Sequence, residues 1–100
     1  MSEDIRQKIS DFNERLRVLD RSFKRYFSGL DKRAPIREFE QFKRDVNLLR
    51  KTQSSIMSVS LRFLINNFQQ RFTVYRTKWE KILNDIEKGR VEPGSHFNTH

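Results

Sequence analysis

The sequence predicts an all-α protein, and three observations predict it. Large apolar residues recur at alternating steps of three and four, charged residues (34% of the chain) fill the positions between them, and only three glycines and two prolines occur in 100 residues. A 3.5-residue average period is that of a helical seam and excludes the two-residue alternation of a strand. Scarce glycine and proline leave the intrahelical hydrogen-bond ladder unbroken.

The first series runs Ile5, Ile9, Phe12, Leu16, Leu19, Phe23, Tyr26, Leu30. Glu3 and Asp4 suit the positive end of a helix dipole, and Gly29 supplies a left-handed stop. A helix over residues 3–28 follows, about 40 Å long at the α-helical rise. Pro35 disfavours helix at Ala34 and fits the first turn of a new one. A link this short joins antiparallel neighbours. The next series is Ile36, Phe39, Phe42, Val46, Leu49.

KTQSSIMSVS, residues 51–60, is the ambiguous stretch. Its hydroxyls can cap a helix or compete with it, yet no glycine or proline forces a break. Three steps of four, through Gln53 and Met57, carry Leu49 to Leu61, a stutter that a continuous helix tolerates. Beyond it the seam resumes as Leu61, Ile65, Phe68, Phe72, Tyr75, Trp79, Ile82, Ile86, and Gly89 ends it. A second helix over 35–88 spans about 80 Å, twice what the first can cover. Either the chain bends within 52–60 into a three-helix bundle, or the overhang pairs with another chain. The expectation is the second: an elongated antiparallel helical hairpin with coiled-coil packing over residues 1–89, dimerising through the Leu61–Ile86 seam. The tail, 90–100, carries Pro93 and Gly94 without periodicity and is expected to be disordered.

The net charge of +8 favours acidic partners. No acidic residue occurs from Val46 to Trp79, while Arg50, Lys51, Arg62, Arg71, Arg76 and Lys78 lie in that window. These six are the expected anionic-partner site. With Ile65 at a heptad a position, Arg62 and Arg76 fall at e, and Arg71 and Lys78 at g. A parallel two-stranded coil would set Arg71 against Arg76, so an antiparallel dimer or a larger two-chain bundle fits better.

The mixture of rings and cations over 68–81 raises the question of a nucleic-acid grip. Stacking on single strands needs exposed rings, and every ring here lies on the seam. Phosphate contact by the cations stays open as the alternative function. A membrane surface fits less well, and nothing approaches a membrane span or a signal peptide, so a soluble cytoplasmic protein is expected. The chain has no cysteine, and its two histidines, His96 and His100, lie in the tail. No catalytic, cofactor or metal site is therefore expected. The reading is a non-catalytic, self-associating adaptor or scaffold that binds an acidic protein.

One pattern resembles something known. LRF at 61–63, Phe68, RF at 71–72, Tyr75 and Arg76, WEK at 79–81 and IEKG at 86–89, with APIREFEQFKRDVNLLR upstream, resemble the helical segments of uncharacterised bacterial proteins with an RF, YR, WEK and IE-G spacing. The resemblance spans residues 35–89. It implies a bacterial origin and an interaction module used alone or appended to other domains, with no activity attached.

Overall fold

Among the described residues the apolar periodicity is realised as three helices: α1 (Ser2–Phe27), α2 (Ile36–Gln53) and α3 (Val59–Glu87). The computed structural model describes residues 2–53 and 58–89. The expectations for the tail at 90–100 lie outside the described residues.

Side-chain contacts give the helix directions. Phe12 meets Phe68 and Phe23 meets Trp79, so α1 and α3 run parallel. Phe12 meets Phe42 while Phe23 meets Phe39, so α2 runs against α1. Phe42 touches Phe72 and Phe39 touches Trp79, so α2 also runs against α3. The result is an up-down-up bundle.

The first stop is built as expected. Gly29 adopts φ 86°. Its N–H donates to Tyr26 O at 3.0 Å and the Leu30 N–H donates to Arg25 O at 2.9 Å, the paired bonds of a Schellman motif. Only a residue without a β-carbon takes that backbone at no steric cost. Gly89 repeats the device after α3, with φ 73° and its N–H donating to Ile86 O at 3.0 Å.

The unbroken 35–88 helix is corrected. α2 ends at Gln53, and α3 begins at Val59 behind Ser58, whose extended backbone (φ −72°, ψ 125°) and side-chain oxygen cap the new helix. The cap bond from Leu61 N–H is long, 3.4 Å, so the cap alone does not explain the break. Burial does. Folding back places Leu61, Ile65, Phe68, Phe72, Trp79 and Ile82 inside the bundle. Each such side chain gains about 1.5–3 kcal/mol on leaving water, whereas each helical hydrogen bond given up is worth about 1 kcal/mol net. The longest dimension is 47 Å, against the 80 Å or so of a continuous helix.

The first seam is also corrected at its end. Phe27, not Tyr26 or Leu30, completes it: Phe27 is buried, Tyr26 is half-buried and Leu30 is 70% exposed. A straight helix repeats at 3.6 residues and drifts from a strict 3.5 pattern, which turns position 27 inward and lets Phe27 stack on Phe23 at 5.4 Å.

The core is therefore an aromatic column shared by all three helices. One tier is Phe23, Phe27, Phe39 and Trp79; the other is Phe12, Phe42, Phe68 and Phe72. Among the described residues no polar or charged residue is buried. Cations lie over the column instead: the Arg15 guanidinium sits 4.8 Å from the Phe42 ring centre and the Lys43 ammonium 4.6 Å from that of Phe39. Trp79, 1% exposed, touches rings from both other helices. Trp79→Ala is expected to cost about 3–5 kcal/mol, read by urea denaturation followed by circular dichroism.

Candidate functional site

The residues expected to form an interface between chains are interior to this one. Leu61, Ile65, Phe68, Phe72, Trp79 and Ile82 are buried, and Tyr75 and Ile86 are partly buried against the same core. α1 and α2 cover them. The bare seam that argued for a second chain is thus filled from within.

Trp79 also carries a polar group inside. Its indole N–H donates to Asp20 Oδ1 at 3.4 Å, and Asp20, with only 13% of its side chain exposed, is held in turn by Lys24 at 3.1 Å. Sequence periodicity places Asp20 merely on a seam flank, and no spacing rule links it to a tryptophan 59 residues away.

The six cations do not form one face. Arg71, at g, turns towards α1, where its guanidinium donates to Asn13 Oδ1 at 2.8 Å. Arg76, at e, turns towards α2 and donates to Glu80 Oε2 at 3.3 Å. With Arg50 it lines the α2/α3 groove, beside Lys43 and Arg44. At one end of that groove charge is neutralised, since Lys43 bridges Glu40 at 2.9 Å and Glu80 at 3.7 Å. The hydrogen bond from Lys43 is the main cause that holds the Glu40 carboxyl below the ordinary carboxylate pKa, with the Lys43, Arg44 and Arg76 charges adding to it. At the other end, among the described residues, Arg50 and Arg62 meet no carboxylate. On the groove floor the Gln69 side-chain nitrogen is buried and finds no acceptor among the described residues. Lys51 and Lys78 are exposed.

Between the two cation flanks runs the outer ridge of α3, which the sequence reading passed over. Val59, Phe63 and Val74 are 73%, 62% and 69% exposed on it. The helical period sets Asn66, Asn67, Gln70 and Thr77 among them, so this solvent-facing ridge carries no charge until Lys81. Arg62 borders it on the α2 side, and Arg71 and Lys78 border it on the α1 side. Apolar residues at heptad f and c positions, where water normally dictates charge, were the available signal. Phe63 is the one exposed aromatic ring among the described residues. Isolated, it gives successive bases nothing to stack on.

Among the described residues no helix is long and apolar enough to cross a membrane. The architecture and the uncharged, cation-flanked ridge define the class: among the described residues, an all-α arrangement of three helices with an exposed helix face. The chain matches no family model, no curated protein and no solved structure.

Asp20→Ala leaves the buried Trp79 N–H without an acceptor and is expected to cost about 1–3 kcal/mol. The check is urea denaturation, with the Trp79 indole proton shift in NMR reporting the lost bond.

Proposed function

We propose that the protein is a non-catalytic helical adaptor that binds an acidic protein partner, and that the partner presents an amphipathic helix to the outer face of α3. One observation carries the reading: an uncharged ridge with exposed Val59, Phe63 and Val74 lies between Arg62 on one side and Arg71 and Lys78 on the other. A partner helix laid along it buries its apolar seam on Phe63 and Val74 and brings flanking carboxylates to the arginines, the helix-on-face mode of recognition. The cations supply orientation and on-rate more than affinity.

The alternative, duplex nucleic acid held by its phosphates, draws less support from the same surface. Its cations are divided between two flanks of α3, and the ridge between them offers no charge to a phosphate backbone.

Titration of labelled protein with an acidic amphipathic helical peptide, and separately with duplex DNA, distinguishes the two by NMR. The peptide is expected to move resonances of residues 59–78, and Phe63→Ala with Val74→Ala to weaken it about tenfold or more, in the range of lost interface anchors. Binding of DNA but not peptide, unchanged by those substitutions and falling steeply with salt, would leave the nucleic-acid reading in its place.

A further inference from the structure

A second surface lies away from α3, on the outer side of α1. A groove of about 490 Å³ runs between α1 and α2, with Leu19 and Phe42 on its floor and Val18 on its lip, 47% exposed. The stripe of α1 that passes through Val18 is ordered by charge. At the helical period it reads Asp11, Glu14, Val18, Arg21, Arg25, acids before the valine and cations after it. Asp11 and Arg25 lie seven residues to either side of Val18, and Glu14 and Arg21 lie four and three.

A stripe of that form is complementary to itself when inverted. Two copies of α1 laid antiparallel across a twofold axis at Val18 set Asp11 of each against Arg25 of the other, and Glu14 against Arg21. An isologous contact needs this self-complementarity. The helix dipole also favours acids early and cations late, but it does not choose the face. Asp20, the acid of the second half, is turned to α3, where it accepts the Trp79 N–H. Arg15, the cation of the first half nearest the groove, is held by Asp45 at 2.8 Å. The stripe is left with its signs sorted.

We infer that a second copy of this chain docks on the α1 face, antiparallel about Val18, pairing Asp11 with Arg25 and Glu14 with Arg21 between copies. The local partners these residues now have are exposed and exchangeable. Gln7 donates to Asp11 at 2.9 Å, Arg17 pairs with Glu14 at 2.7 Å and Arg25 with Asp31 at 3.1 Å, contacts of little net worth in water. A guanidinium stays charged whichever carboxylate it meets. The association leaves the α3 ridge free, and it differs from pairing through the Leu61–Ile86 seam, which is interior.

Sedimentation velocity at low salt, from micromolar up to about 1 mM, tests this with five samples. The wild-type chain is expected to dimerise reversibly. D11K/E14K and R21E/R25E chains should each lose self-association about tenfold or more, and an equimolar mixture of the two should recover it. Val18→Arg, at a half-exposed position, should abolish association with helix content unchanged by circular dichroism. A wild-type chain still monomeric at the highest concentration, a mixture that fails to associate, or a Val18→Arg chain that dimerises as before would overturn the proposal.

Discussion

The covering of α3's aromatic seam is the constraint on which the rest depends. Trp79 stacks on Phe23 at 4.6 Å and meets Phe39 edge-on at 5.5 Å, so one ring ties all three helices. α3 has 29 residues and α1 has 26, nearly equal in length. That match lets α1 run along α3 over most of its seam once the chain has turned back. The shorter α2, 18 residues, closes the third side. A second chain could have covered the seam, but only after losing translational and rotational freedom. α1 belongs to the same chain, so bringing it to α3 costs loop closure and not that loss.

Because the interior is wholly apolar, charge is confined to the outside, where it shares the surface with exposed apolar residues such as Val18, Phe63 and Val74. No polar or charged residue is buried among the described residues, and ion pairs such as Arg15 with Asp45 and Lys24 with Asp20 lie around the core rim. Such pairs add little stability; what they do is consume charge locally. Arg50 and Arg62 have no such pairing among the described residues, so their charge is left unneutralised there. The α1 and α3 outer faces therefore differ in kind: one has signs sorted along its length, the other an uncharged ridge between cations.

The helical periodicity of 5–23, 36–49 and 61–86 was legible because each apolar step is a local property of the chain. The Gly29 stop was legible for the same reason: a left-handed backbone is a demand that one residue meets. The end of the first seam was misread by one position because a strict 3.5 repeat and a straight 3.6 helix diverge after several turns, and both Tyr26 and Phe27 satisfy a three-or-four step. The 51–60 stretch was not decidable locally. Its serines cap as readily as they continue a helix, and the choice rested on burial of residues beyond it, from Leu61 to Ile82.

By itself, then, the sequence determined that the chain is helical outside 51–60, which stripe of each helix is apolar to within a position, and that the net charge is basic. Those follow from side-chain period, backbone preference and charge, all of which act within a few residues. Only the tertiary structure decided which chain covers the α3 seam, that Asp20 takes the Trp79 N–H, and that the cations of residues 50–78 divide around an uncharged ridge. Those depend on where α3 points once it has turned, and the direction of a turn is set by the burial it makes possible between residues far apart in the chain.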